Sequence, residues 1–279
     1  MKIDNKKVNY ATGSELGKSS NNAPSYTSSL LYPIARSEYR KTIPNYCDAE
    51  FGFDRWVCYE LSWLNNNGLP KVSMVELNIP LSSINIVESK SLKLYLNSFY
   101  KEIFSGESAV ANRIKNDLSS ILGSEIDVLL NPIEQFQAAK NLTKPVIIDN
   151  LNISCVDYNH SSKILSNDNR GYITNEILCS HLLRTNCPVT NQPDWGTLTI
   201  RYSGIGISHE SLLRYIVSFR EHCGFHEQCV ELIYSDIIEF CSPDELTVLA
   251  QYTRRGGIEI NPMRSNSNTK LDFVRVVRQ

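Results

Sequence analysis

No stretch of this sequence stays apolar for the roughly 18–20 residues that a membrane-spanning helix requires, so a helical membrane protein is excluded. The opening residues, MKIDNKKVNYATGSELGKSS, lack the apolar core of a secretory signal, and the expected location is the cytoplasm. Charge of one sign is also missing. A net charge of −2 gives no ground for non-specific binding to nucleic acid or to an anionic membrane. Eight cysteines are present, but none stands in a CxxC pair and no four are spaced as zinc ligands. In a reducing compartment most should be plain buried thiols, and no metal is expected. Neither GxGxxG after a strand nor GxxxxGK[ST] occurs, so a nucleotide cofactor would not be held in the Rossmann or P-loop manner. What remains is the composition of an ordinary soluble globular protein, 42% hydrophobic and 21% charged. Its 279 residues suffice for two domains of usual size or one large one.

Residues 1–30 are rich in Ser, Asn and Gly without periodicity, and read as a polar arm that orders on docking. Strands are expected at 56–63 and 71–79, where β-branched and aromatic residues flank the turn signal NNNGLP. Leu92, Tyr95, Leu96, Phe99 and Ile103 have helical spacing within 91–104, a second helix is expected over 107–121, and KPVIIDNLNIS (144–154) reads as a strand. In the second half, 197–202 reads as a strand, 211–222 as a helix with Ser208 as N-cap, and 226–240 as another helix. The segment 243–252 begins with Pro and acids, as a helix start does. GGIEINP (256–262) and LDFVRVV (271–277) close the chain as strands.

Sliding the chain by 120 residues aligns the two halves without gaps. Ser91, Leu92, Tyr95, Ser98 and Phe99 meet Ser211, Leu212, Tyr215, Ser218 and Phe219; Glu107 and Val110 meet Glu227 and Val230; Glu125, Val128 and Leu129 meet Glu245, Val248 and Leu249. Two unrelated amphipathic helix pairs would not hold register across both helices and the link between them. An internal duplication is the better account. It predicts an α+β chain of two tandem modules, 31–150 and 151–279, each with strands, two helices and more strands.

The halves differ where chemistry would sit. TNCPVTNQPDWG (185–196) carries Cys187 directly before Pro188, with Pro193 close behind, and places Asp194 seven residues on, whereas the matching NNNGLPKVSMV has neither Cys nor Asp. Pro188 and Pro193 forbid a continuous helix, so this is a loop running into a strand. A thiol and a carboxyl on a stiff loop can act as nucleophile and proton donor; the plainer reading is a PDWG turn with a buried thiol. His226 and Glu227 open a helix, where a carboxylate is expected to stay ionised and to accept two hydrogen bonds from a planar N–H/NH2 edge. The plainer reading is an acid that complements the helix dipole. HEQCVE is not HExxH, because Val230 stands at the second His position. Lys90, Lys93, Arg254 and Arg255 are the basic groups available for phosphates, the arginines just before Gly256 and Gly257.

Four blocks, ESKSLKLYLNSF (88–99), TNCPVTNQPDWG (185–196), FHEQCVE (225–231) and YTRRGGIEINP (252–262), together resemble the 7-cyano-7-deazaguanine reductases of queuosine biosynthesis. The resemblance extends over nearly the whole chain, LGKSS (16–20) and SLLYPIARSEYR (29–40) included, and is to the long form with two fused modules. It implies the tunnelling fold, in which each module is an antiparallel sheet backed by two helices. It implies NADPH as cofactor, a small deazaguanine nitrile as substrate and a homodimer, with no direct contact to nucleic acid or membrane. By the same resemblance, Cys187 adds to the nitrile and forms a covalent thioimide, and Asp194 supplies the proton. Val87, Glu88, Ser89, His226 and Glu227 would hold the deazaguanine, and Ser89, Lys90, Arg255 and Gly256 the NADPH. The thiolate is the reactive form, so Cys187 needs a lowered pKa or Asp194 as a local base. The alternatives are a pterin-type cyclohydrolase or synthase of the same fold, a non-catalytic purine-binding module, and a thiol amidohydrolase.

Overall fold

The computed structural model describes residues 25–133, 144–156, 158–268, 275–276 and 279. Much of the expected arm, the LGKSS block and most of the expected strand 271–277 lie outside these residues. The chain runs β1 (Pro33–Ala35), α1 (Arg36–Arg40), β2 (Phe51–Leu64), β3 (Pro70–Pro80), β4 (Asn85–Val87), α2 (Ser89–Asn97), α3 (Glu107–Leu122), β5 (Asp127–Asn131) and β6 (Val146–Ile147). Then come β7 (Asn167–Asn186), β8 (Pro193–Ile207), α4 (His209–Val217), α5 (His226–Cys241), β9 (Glu245–Tyr252) and β10 (Ile258–Ser265). Eight strands form one sheet in the order β5-β3-β2-β10-β9-β8-β7-β6, antiparallel except for the short parallel β6–β7 pair, and β1 pairs with β4 apart from it.

The repeat is visible in the elements. α2 and α4 start 120 residues apart, at Ser89 and His209, and each passes into a 3-10 turn, Ser98–Lys101 and Ser218–Glu221. Both helices are anchored from within by a tyrosine, Tyr95 donating to Asp117 at 2.7 Å and Tyr215 to Asp236 at 2.6 Å. Each half has its own apolar core between sheet and helices, one around Trp56, Val75, Leu92, Phe99 and Ile114, the other around Leu198, Ile200, Leu212, Phe219 and Ile233. The helices differ in burial. α3 buries a single stripe, Val110, Ile114, Leu118 and Leu122, each worth roughly 1.5–3 kcal/mol. α5 is buried on nearly all sides over His226–Ile237, because it lies on β9 and β10 and α1 packs against it.

β10 joins the halves. It pairs with β9 on one side and β2 on the other, so the last strand of the second half completes the sheet of the first. A buried ion network crosses the same seam. Arg36 binds Asp54 at 2.5 Å; Arg264 binds Asp54 at 2.8 Å and Glu231 at 2.9 Å; Arg40 also binds Glu231 at 2.9 Å.

Several expected elements need correction. Residues 243–252 do not start a helix: Glu245–Tyr252 is the central strand β9. Pro243 and Asp244 turn the chain after α5, and Asp244 N–H donates to the Ser203 carbonyl, which commits the following β-rich run to the sheet. The expected strand 144–154 shrinks to Val146–Ile147. The helices expected over 91–104 and 211–222 begin two residues earlier and stop at Asn97 and Val217, where 3-10 turns take over. β7, a 20-residue strand, was not expected, because three register shifts against β8 break its alternation. Within the arm, Tyr26 is docked: its hydroxyl donates to Asp117 at 2.5 Å and its ring packs edge-on against Phe99.

Candidate active site

The β7–β8 hairpin delivers Cys187 and Asp194 to one place. Its loop is closed by Cys187 N–H donating to the Gln192 carbonyl at 2.8 Å and Asn191 N–H donating to the Cys187 carbonyl at 2.9 Å. Thr185 stands opposite Asp194 in the ladder. Because side chains alternate along a strand, Cys187 shares a face with Thr185, and so with Asp194. Both are 4% exposed and both line one cavity at the seam between the halves. The Asp194 carboxylate is held from two sides, by Arg255 Nη1 at 3.1 Å on Oδ1 and by His226 Nε2 at 3.3 Å on Oδ2.

The opposite wall comes from the first half. Val87, Glu88 and Ser89, at the β4–α2 junction, line the cavity together with Trp56 from β2. Glu88 caps α2: its carboxylate accepts from Lys90 N–H at 2.7 Å and Ser91 N–H at 2.8 Å. Burial pushes this carboxyl up, and the two amides only partly offset it. Both of its oxygens are therefore engaged by its own helix.

The start of α5 supplies His226 and Glu227 to the same cavity. Glu227 departs from the expectation of a carboxylate kept ionised by a helix N-terminus. At 2% exposure, burial and then the nearby Asp54 push it up to about 8, with Arg36 and Arg264 only partly compensating. Burial thus favours its neutral form in the free protein. Desolvation outweighs the helix dipole here.

Ser89 and Arg255 line the cavity, whereas Lys90 and Gly256 do not; each is the next residue after a wall residue. Gly256 and Gly257 both have positive φ, 57° and 78°, and turn the chain into β10. Of the other cations considered for phosphates, Lys93 is tied to Glu60 at 3.1 Å and to the Gly256 carbonyl at 3.0 Å, and Arg254 lies over the Tyr59 ring. Trp56, Phe225, Thr253, Ile258 and Ile260 are further wall residues, with Ile86, Pro188 and Gly224, and none was a candidate from sequence. Trp56 reads from sequence as a core aromatic in an alternating strand. Phe225 and Thr253 sit inside blocks already singled out.

Three buried polar atoms of wall residues have no protein partner among the described residues: Trp56 Nε1, His226 Nδ1 and Glu227 Oε1. Leaving such a group unpaired costs about 1–3 kcal/mol each, so their convergence marks a place built to receive a polar ligand. A donor and a carboxyl facing one small cavity suit a flat heterocycle with both N–H and carbonyl edges. A thiol beside a carboxyl suits addition to an electrophilic carbon.

Fold and cavity together define a protein of two tandem tunnelling-fold modules with a thiol–carboxyl site at their seam. A family model described as nitrile reductase, 7-cyano-7-deazaguanine-reductase N-term matches residues 23–130, and one described as QueF-like protein matches residues 193–270. The chain is 44% identical over 256 residues to the NADPH-dependent 7-cyano-7-deazaguanine reductase of Buchnera aphidicola subsp. Schizaphis graminum, covering 90% of this chain and 97% of that one. It is 45% identical over 285 residues to the protein of the same name from Colwellia psychrerythraea, covering 98% of this chain and 100% of that one. The chain belongs to the NADPH-dependent 7-cyano-7-deazaguanine reductase family.

Proposed function

We propose that this protein reduces the nitrile of 7-cyano-7-deazaguanine to the aminomethyl group, with NADPH, in queuosine biosynthesis, and that it does so through a covalent thioimide on Cys187. The observation that carries the reading is the meeting of Cys187, Asp194 and the Glu227 carboxyl, whose Oε1 has no partner among the described residues, in one cavity. Glu227 takes the N–H/NH2 edge of the base, and His226, Val87, Glu88 and Ser89 complete its pocket. Trp56 Nε1 offers a donor to a ring acceptor.

A nitrile carbon is a poor hydride acceptor, and thiol addition makes it a better one. The Cys187 sulfur bonds to the nitrile carbon, and one C–N π pair moves to nitrogen. The thiol proton passes to Asp194 and from there to that nitrogen, so thiol plus nitrile becomes thioimide with no net gain or loss of protons. Arg255 and His226 hold Asp194 in place for this transfer. Bound NADPH would supply the two hydrides, one to the thioimide carbon and one to the imine carbon, while two protons from solvent complete the amine and restore the Cys187 thiol. Between the two, Cys187 departs as thiolate and the substrate becomes an imine.

Ser89, Lys90, Arg255 and Gly256 form the proposed NADPH site. They fit such a group chemically. Arg255 is 38% exposed and holds Asp194, and the open face of Gly256 has only the Lys93 side chain within 4 Å, so a phosphate there would meet backbone and a cation. We place the modules at 31–150 and 151–279, and the working form as a cytoplasmic homodimer, on the strength of the family. The test is NADPH oxidation with the nitrile. Two equivalents per substrate and an amine product are expected; an acid product would make the protein a hydrolase instead.

A further inference from the structure

We infer that Tyr252 is a positioning residue for this chemistry: its ring fixes the plane of the His226 imidazole so that Nε2 faces Asp194. This inference rests on the function proposed above.

The ring torsion of histidine is broad, so a His side chain does not choose its own plane; its surroundings do. His226 Nδ1 has no hydrogen-bond partner among the described residues, and nothing holds the ring through that nitrogen. Two contacts of the ring bear on its plane. One is Nε2 to Asp194 Oδ2 at 3.3 Å. The other is a face-to-face stack on Tyr252, with centroids 3.8 Å apart and planes within 5°. This is closer than the 4.5–7 Å usual for ring pairs, and it leaves the imidazole no room to tilt.

Tyr252 is itself rigidly placed. It is fully buried at the end of β9, and the next residue, Thr253, donates its N–H to the Trp195 carbonyl at 2.9 Å. The β8–β9 register sets Tyr252 opposite Gly196, two residues beyond Asp194. A Cβ at Gly196 would stand 3.3 Å from Tyr252 Cδ1 and 3.4 Å from Cε1, so glycine there leaves space for the ring. The Tyr252 hydroxyl lies beside Cys229 and Thr185, and Thr185 is the ladder partner of Asp194. One strand pair thus sets the positions of the carboxylate and of the plate behind its histidine.

The test follows adduct formation at Cys187 with 7-cyano-7-deazaguanine alone, by mass. Tyr252→Leu should lower the maximal rate of adduct formation by about 10- to 100-fold, in line with the cost of small misplacements, and leave the half-saturating nitrile concentration within about threefold. In a His226→Ala background the same change should cost less than about twofold, because the residue it positions is gone. Equal losses in both backgrounds, or no loss at all, overturn the inference. Tyr252→Phe, which keeps the stacking face, should stay within about threefold of the parent; a loss as large as that of Leu assigns the role to the hydroxyl and overturns it. Should Tyr252→Leu fail to fold, NMR of labelled histidine in Tyr252→Phe decides: the ring-current shift of His226 and the adduct rate must both be kept, and loss of either overturns the inference. Absence of any adduct in the parent protein would instead overturn the reaction on which the inference stands.

Discussion

Glu227 carries a prediction about pH. Its carboxyl is pushed up to about 8 by burial and by Asp54, whereas accepting two hydrogen bonds from an N–H/NH2 edge requires the carboxylate. Binding of the base must then expel a proton below that pH. In Cys187→Ala, where binding is non-covalent, affinity for 7-cyano-7-deazaguanine should rise about tenfold per pH unit from 6 to 7 and level off above 8. Calorimetry in buffers of different ionisation enthalpy should find about one proton released at pH 7; affinity independent of pH would refute the assignment. Asp194→Asn keeps a side chain of the same shape but removes the proton relay, so adduct should form at Cys187 about 100-fold more slowly or worse. Stopped-flow absorbance against the parent rate checks this, and an unchanged rate removes Asp194 from the scheme. At this scale, the residue types and their blocks were legible in the sequence. The ionisation of Glu227 was not, because burial depends on α1 and on the ion network that packs around α5.

Helix starts show the same division between what is local and what is not. Ser208 was readable as the cap of α4, and its side chain does accept from Ser211 N–H. Glu88 does the corresponding work at α2 with a carboxylate, which a sequence reading takes for a binding group. Removing a cap costs about 0.5–2 kcal/mol. Ser208→Ala should therefore lower stability to urea by that amount with turnover unchanged, whereas Glu88→Ala should lower both, since Ser89 and Lys90 lose their anchor. Equal activity in the two variants would contradict the placement of Glu88 in the cavity wall. The misread elements fail for tertiary reasons. Pro243 and Asp244 before β9 and Glu245 at its start look like a helix start, yet β9 lies between β8 and β10 in the sheet and its Leu246, Val248, Ala250 and Tyr252 are part of the second core. The 120-residue repeat already paired Val248 and Leu249 with Val128 and Leu129 of β5, so the signal for a strand was present but was outweighed by a local cue. β7 hides behind its bulges, which no period-2 reading follows.

Across the whole molecule, β10 and the ion network tie the two halves together, and the expected result is that they unfold as one. Asp54 is fully buried between Arg36 of the first half and Arg264 of the second. Burial pushes its carboxyl up, but Arg264 and Arg36 together outweigh it and hold it below the ordinary range. The stability it contributes is present above the ordinary carboxylate value and is lost as pH falls through its own lower one. Asp54→Asn leaves two buried guanidinium groups short of a counter-charge and should cost about 3–5 kcal/mol, read from urea unfolding as a shift of a single transition. Two separate transitions would show that the halves fold independently. The duplication, and hence the two modules, was legible in sequence; the sharing of β10 across the seam was not, since it depends on which edges meet. At that seam Val87, Glu88 and Ser89 line the same cavity as Cys187, so the cavity takes its walls from both halves. The most direct measurement is the intact mass of the protein after incubation with 7-cyano-7-deazaguanine in the absence of NADPH. A gain equal to one nitrile, located on the peptide that holds Cys187 and missing in Cys187→Ala, is the expected result; an unchanged mass, or a label on another cysteine, would contradict it.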